Sequence, residues 1–172
     1  ALAVAQRHGC TGADLLDALV AGYEAAIRLG TAAAAGGYAA WYNSSVIGVF
    51  GAAVATGRCL RLGPEAMADA LGQAAMQASG VWQFRDEPTF SKQVATAHAA
   101  RAGVTSARLA EAGFAGARAI LEGPAGLFPV YYPQADIAAV TAAPSAPFRL
   151  HDVSFKPWPA CRHAHPAIAA AL

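Results

Sequence analysis

The segment DVSFKPWPACRHAHP, residues 152–166, concentrates groups that can exchange protons or bind anions. It contains Lys156, Arg162 and His163, and its prolines stiffen the loop that carries them. Lys92 and Lys156 are the only lysines among the 12 Lys and Arg residues of the chain. Because burial can bring the pKa of a lysine, but not of an arginine, into the range of acid–base catalysis, both lysines are candidate active-site groups. The simpler alternative for each is a solvated surface lysine.

Lys92 follows an acidic, aromatic loop and stands at the predicted start of a helix. A cation at that end opposes the helix dipole, which ordinary packing would avoid. Together with backbone amides of the first turn, such a lysine can form an anion site. Tyr42, between Trp41 and Asn43, could exchange a proton if a nearby lysine lowered the pKa of its phenol. The alternative for Tyr42 is a loop aromatic that packs on the core.

The pattern Cys161-x-His163-x-His165 resembles part of a zinc site, but we predict no metal there. Three ligands at alternating positions converge only from a strand, and the prolines make this segment a loop that leads into a helix. Structural zinc sites also use four ligands with longer spacers.

Composition narrows the classes of protein to which the chain can belong. Hydrophobic residues make up 56% and charged residues 13%, so a large core is possible and part of the surface is expected to be covered by a partner or by further chain. A formal net charge of +1 without a basic stripe argues against nucleic-acid binding. The uncharged run 29–57 is interrupted by glycines and by Asn43, which favours two buried helices over a membrane span.

The three cysteines are widely spaced, without a CxxC pair, and no signal peptide is visible. This pattern is typical of reduced thiols in a cytoplasmic protein. The chain starts with Ala1 inside a helix-like pattern, so we expect it to be a piece of a longer protein.

Hydrophobic spacing predicts a mainly α fold up to about residue 141. The predicted helices cover 11–30, 43–61, 64–79, 92–112 and 115–121, and another begins at 165 or 166. Residues 142–147 are predicted to be a linker, and the alternation over 148–155 predicts a strand. The residues from 148 onwards would therefore begin a second, mixed domain.

Four blocks of this sequence, in the same order, resemble the MmgE/PrpD family, which includes 2-methylcitrate dehydratase and cis-aconitate decarboxylase. They are ALAVAQRHGCTGADLLDALVAGYEAAIRLG, SSVIGVFGAAVATGRCLRLGPEAMADALGQAAMQASG, KQVATAHAARAG and FKPWPACRHAHPAI. The resemblance implies an all-helical domain over 1–141, a linker at 142–147 and the beginning of a smaller α/β lid domain over 148–172. It also implies a homodimer or a complementing chain, with no cofactor and no metal.

The resemblance also implies roles for single residues. Lys92 and Lys156 match the lysines of the family's K-x-x-H-x-G and K-x-x-P-x-C/H blocks, which face the active-site cleft. Ser45 matches the serine of G-[FW]-H-x-x-S and, with Arg162 and His163, forms the predicted substrate-binding set. Tyr42 stands where that motif has a histidine, and we predict that it acts with the two lysines in catalysis.

A second histidine of the family's motifs is replaced by Ala95 in this chain. The chain therefore has a different proton donor, receives residues from elsewhere, or has lost the chemistry. The implied function is a cofactor-independent lyase, a dehydratase or decarboxylase, that abstracts a proton next to a carboxylate of a small di- or tricarboxylate. The alternatives are an epimerase of a related carboxylate and a non-catalytic or split-enzyme subunit that needs a partner chain.

Overall fold

A computed structural model of the chain describes residues 1–37, 40–87, 89–142 and 148–172. In these ranges the structure is mainly α, as the sequence predicts. The α-helices are, in chain order, α1 Leu2–Arg7, α2 Gly12–Ala34, α3 Asn43–Val46, α4 Gly48–Cys59, α5 Pro64–Ala75, α6 Ser91–Glu111, α7 Leu127–Tyr131, α8 Ala138–Thr141 and α9 His165–Ala171. Short 3-10 turns cover Gln83–Arg85, Arg149–Asp152 and Arg162–Ala164.

Helix α2 begins at the residue that its sequence predicts. The Thr11 hydroxyl accepts a hydrogen bond from the Asp14 amide at 3.2 Å, and the Asp14 carboxylate accepts one from the Thr11 amide at 2.8 Å. This reciprocal pair is a capping box, which satisfies two amides that the helix cannot bond internally. The hydrogen bonds from Thr11 also lower the pKa of Asp14.

Helix α4 lies at the centre of the molecule, packed between α2 and α6. Its buried residues include Val49, Phe50 and Ala53, none of which can bear charge. This position explains why the part of the uncharged run that lies in α4 carries no charge: α4 is enclosed by other helices, and its one charged residue, Arg58, is exposed in the last turn. No helix within the described ranges combines the length and apolar character that a membrane crossing requires.

Glycines set how closely these helices approach one another. A Cβ on Gly22 of α2 would lie 2.7 Å from the carbonyl oxygen of Gly51 in α4. A Cβ on Gly103 of α6 would lie 2.6 Å from the carbonyl oxygen of Val49. Both neighbours are backbone atoms of a packed helix, so neither can move aside cheaply.

The predicted helix over 115–121 is wrong, because these residues form turns. The amide of Gly116 donates to Asp69 Oδ1 at 3.0 Å, and Arg118 pairs with Asp69 at 3.0 Å. A Cβ on Gly116 would collide with the carbonyl oxygen of Asp69. These contacts hold the segment against α5, and they override its local helical preference.

The predicted strand over 148–155 is also wrong. Its first part forms the 3-10 turn Arg149–Asp152, and Phe155 is 98% exposed. A strand needs a neighbour for its backbone groups, and the one β-bridge between described residues joins Trp41 to Val81 instead. The lid-domain assignment of 148–172 stays a prediction. Apart from Ala142, the predicted linker lies outside the described residues.

We predict that Gly103→Ala destabilises the protein by roughly 1–3 kcal/mol, because the added methyl overpacks the contact between α6 and α4. Urea unfolding would show this as a lower midpoint at an unchanged m value. Gly30→Ala is the matched control: Gly30 is also helical, but nothing lies within 4 Å of its Cβ position. That variant should be neutral or more stable by up to about 1 kcal/mol. Equal midpoints for the two variants would contradict the proposed packing.

Candidate functional site

Backbone hydrogen bonds join the residues that precede α3 to the loop that follows α5. The Tyr42 amide donates to the Gly80 carbonyl at 3.0 Å, and the Trp82 amide donates to the Ala40 carbonyl at 3.2 Å. Gly80 has a φ of +130°, and a Cβ there would lie 3.1 Å from the Ser45 hydroxyl oxygen. Glycine is therefore needed at this crossing both for its backbone conformation and for space.

Tyr42 is buried, with 5% of its surface exposed. Its ring makes edge-on contacts with Trp82 at a centroid distance of 5.2 Å and with Phe84 at 4.9 Å. Such edge-to-face pairs are favourable arrangements of aromatic rings. Tyr42 is thus part of an aromatic cluster whose third member, Phe84, reaches a surface cavity.

This cavity has a volume of about 240 Å³ and lies between the 3-10 turn Gln83–Arg85 and the beginning of α6. It is smaller than the roughly 300–1,000 Å³ of pockets for drug-sized ligands, so its size suits a small metabolite. It is lined by Val81, Gln83, Phe84, Glu87, Thr89, Ser91 and Ala95.

Lys92 is the second residue of α6, between the cavity-lining Ser91 and Ala95. Its side chain is exposed, and no described residue forms a hydrogen bond or an ion pair with its ammonium group. The first turn of α6 contains no acidic residue. The positive end of a 21-residue helix and an unneutralised lysine therefore coincide beside the cavity.

Ser45 is 1% exposed, and its hydroxyl donates to the Ala95 carbonyl at 3.0 Å. Because Ala95 lines the cavity, this hydrogen bond fixes the cavity wall by joining α3 to α6. Ser45 thus lies behind the cavity wall, and its role in substrate binding stays a prediction.

Lys156, Arg162 and His163 are exposed residues of the C-terminal segment. Lys156 donates to the Ala160 carbonyl at 3.2 Å, and the His163 Nδ1 atom lies 3.7 Å from the Cys161 sulfur. These contacts lie within the segment 148–172. Tyr42, Ser45 and Lys92 are not among the residues that line the cavity: Tyr42 contacts the lining residue Phe84, Ser45 is bonded to Ala95, and Lys92 follows Ser91 in the chain. The other three candidates lie together in a separate segment.

The Cys161-x-His163-x-His165 pattern does not converge in the structure. His165 is buried, its Nε2 lies 3.3 Å from the Ala160 carbonyl oxygen, and its ring is edge-on to Trp158. Throughout the described part of the chain, no three His, Cys, Asp or Glu side chains are grouped as a metal site would require.

Two polar groups of the cavity were not predicted from the sequence. Gln83 Nε2 donates to Glu87 Oε1 at 2.7 Å, so the two side chains form one polar wall. The sequence feature that could have indicated these two residues is the acidic, aromatic character of the loop before Lys92. That signal could not show that the loop folds back over the first turns of α6.

On the other side of α3, the Tyr132 hydroxyl donates to Asn43 Oδ1 at 2.9 Å. Burial, together with the nearby Tyr131, raises the pKa of Tyr132 to about 12. Tyr131 stacks on Trp41 at a centroid distance of 4.4 Å. These contacts hold the residues on both sides of Tyr42 in place.

A sequence model of the MmgE/PrpD N-terminal domain matches residues 1–140. The cis-aconitate decarboxylase of Aspergillus terreus is 33% identical to the chain over 114 residues, which are 65% of this chain and 23% of that protein. A cis-aconitate decarboxylase-like protein of Aspergillus oryzae is 33% identical over 126 residues, which are 72% of this chain and 26% of that protein. The matched part of the chain thus spans about a quarter of the length of these relatives.

We predict that Tyr132→Phe destabilises the protein by about 1 kcal/mol at neutral pH, because the hydrogen bond to Asn43 is lost. The pKa of Tyr132 is about 12 in the folded protein and about 10 when unfolded. Its buried neutral phenol therefore stabilises the fold fully below pH 10, and this contribution is lost as the pH rises towards 12. Unfolding followed by circular dichroism from pH 7 to 12 should show this loss in the unsubstituted protein but not in the variant. The exposed Tyr23 offers the control Tyr23→Phe, and matching pH profiles for the two variants would contradict the assignment.

Proposed function

Because this chain belongs to the MmgE/PrpD family, we propose that it carries part of the active site of a cofactor-independent lyase. Its substrate would be a small di- or tricarboxylate, of the kind named by its cis-aconitate decarboxylase relatives. The observation that carries the proposal is the position of Lys92, an unneutralised cation in the first turn of α6, beside a cavity of about 240 Å³. Two further family-motif positions, Tyr42 and Ser45, adjoin the residues that line this cavity.

In the proposed mechanism, Lys92 binds one substrate carboxylate. Removal of the neighbouring proton leaves an electron pair that delocalises into this carboxylate, and the ammonium stabilises the enolate-like charge. Loss of water from the adjacent carbon completes a dehydration. In a decarboxylation, the carbon–carboxylate bond breaks in place of the carbon–hydrogen bond, CO2 leaves, and the electron pair that remains on carbon takes up a proton.

Two groups can exchange these protons. Glu87 lies on the cavity wall and accepts a hydrogen bond from Gln83, so it is our candidate for the base. Tyr42 lies behind Phe84, and we assign its phenol the role of proton donor, reached when the Phe84 ring rotates aside. Lys156, Arg162 and His163 are proposed to bind a second substrate carboxylate from the C-terminal segment.

A non-catalytic or split-enzyme subunit is the second candidate function, because two apolar side chains are exposed at the beginning of α6. Phe90 is 82% exposed and Val94 is 68% exposed, and both belong to the first turns of α6 or its cap. Exposed apolar groups of this size are typical of a surface that a partner covers. A homodimer or a complementing chain would cover these two apolar side chains, and Lys92 would lie next to the interface.

The primary test is proton NMR of the purified protein, with whatever copurifies, in D2O with a panel of small carboxylates. The panel includes 2-methylcitrate, cis-aconitate and amino- or imino-dicarboxylates. Loss of an α-proton signal with a new olefinic product would support the lyase, whereas exchange without a product would favour an epimerase. If a folded, complete sample causes no proton exchange in any carboxylate of the panel, the non-catalytic subunit is favoured.

Lys92→Ala should lower the rate of exchange or turnover about 10- to 100-fold, since a charge-assisted hydrogen bond contributes roughly 1.5–3 kcal/mol. Lys92→Arg should retain part of the rate because it keeps the positive charge. Gln93→Ala, an exposed change in the same turn, is the matched control and should leave the rate unchanged. Equal rates for Lys92→Ala and Gln93→Ala would rule out the proposed anion site.

Tyr42→Phe keeps the ring that packs against Trp82 and Phe84, so the variant should fold with nearly the original stability. If the phenol delivers the proton, turnover should fall by a factor of about 10² to 10⁴. Tyr131→Phe, which removes a phenol on the other side of Trp41, should have no comparable effect. Full turnover by Tyr42→Phe would show that Tyr42 is only a packing residue.

A further inference from the structure

A pair of cysteines lies in contact away from the cavity. Cys10 stands between α1 and α2, and Cys59 is the last residue of α4. The Cys10 thiol donates to the Cys59 carbonyl oxygen at 3.5 Å, across a separation of 49 positions in the sequence. Both cysteines are free in the structure. The fold thus brings two reduced thiols together from distant parts of the chain.

The backbones on both sides of this contact are fixed. The Cys10 amide donates to the Ala5 carbonyl at 2.9 Å, and Gly9 makes the turn with a φ of +63°. On the other side, the Leu62 amide donates to the Gly57 carbonyl at 2.9 Å and closes the end of α4. These hydrogen bonds hold the backbones of Cys10 and Cys59 on both sides of the contact.

The surroundings of the pair are apolar, and the two thiols differ in exposure. Val4, Ala5 and Ala18 form the buried cluster that contains Cys59, and Cys10 packs against it. Cys59 is buried and Cys10 is half-buried. Burial raises the pKa of the Cys59 thiol, and the contact with Cys10 acts in the same direction. Cys10 is therefore the thiol that a small oxidant reaches first.

We propose that Cys10 and Cys59 form a reversible disulfide when the protein meets a peroxide. The Cys10 sulfur attacks one peroxide oxygen, the O–O bond breaks, and Cys10 becomes a sulfenic acid as water is released. The Cys59 sulfur then attacks the sulfenic sulfur, the S–O bond breaks, and a second water leaves. The two thiols lose two electrons and two protons in total, and these reduce the peroxide to two waters.

This disulfide would join the turn between α1 and α2 to the end of α4. A cross-link across 49 positions restricts the unfolded chain strongly, so the oxidised protein should be harder to unfold. Because α4 also contacts α6, the link would secure one side of the helical packing that supports the cavity. The inference concerns the fold and does not depend on the proposed lyase activity.

The test uses the Cys161→Ser variant, because Cys161 is exposed and lies beside His163, where it would react independently. The variant is treated with hydrogen peroxide, alkylated after denaturation and digested, and its peptides are measured by mass spectrometry. We expect a Cys10–Cys59 cross-linked peptide pair, joint loss of both alkylation sites, and full recovery with dithiothreitol. The melting temperature should rise by about 5–10 °C on oxidation.

Adding Cys59→Ser to this background removes the resolving thiol, so Cys10 should then stop at a sulfenic acid that dimedone traps. Cys59→Ala serves the same purpose if serine impairs folding at this buried position. The proposal is overturned if Cys59 remains alkylatable while Cys10 proceeds to the sulfinic acid. It is equally overturned if the only disulfides formed join two protein molecules.

Discussion

The rest of the structure depends on the close approach of α2 and α6 to the central helix α4. Gly22 and Gly51 bring α2 and α4 together, and Gly103 brings α6 onto α4, at distances where a Cβ would meet backbone atoms. Bulky side chains between these helices would separate their axes and leave the small buried residues of α4 without contacts. Such contacts fit only one register, because glycine must face backbone at each crossing. The alanine- and glycine-rich composition is therefore a requirement of this packing.

This packing also decides where the first turn of α6 lies. Gly103 fixes the middle of α6 against α4, and the hydrogen bond from Ser45 to Ala95 fixes its beginning against α3. The loop after α5 is held in turn by the backbone pairing of Tyr42 with Gly80. The cavity lies between the beginning of α6 and this loop, both of which are held in place. Its shape thus follows from helix contacts, whereas its chemistry comes from a few polar side chains at its edge.

The sequence predicted the features that depend on local chemistry. Hydrophobic spacing predicted the mainly α fold, and the uncharged run 29–57, which includes most of α4, predicted buried helices. The wrong predictions concern segments whose structure depends on residues far away in the sequence. Residues 115–121 have helical composition, but Gly116 is pinned to Asp69, and 148–155 alternate without any described strand to pair with. Motif positions located Lys92, but Glu87 reaches the cavity only through the fold of its loop.

The tyrosine at position 42 imposes a further constraint on any chemistry in this cavity. A phenol needs a larger enclosure than an imidazole, and Trp82 and Phe84 provide it by turning their rings at 78° and 86° to that of Tyr42. These rings give Tyr42 apolar surroundings. Glu87 lines the cavity and accepts a hydrogen bond from Gln83, whereas Phe84 lies between the cavity and Tyr42. The base that we propose and the phenol therefore lie on opposite sides of one aromatic ring.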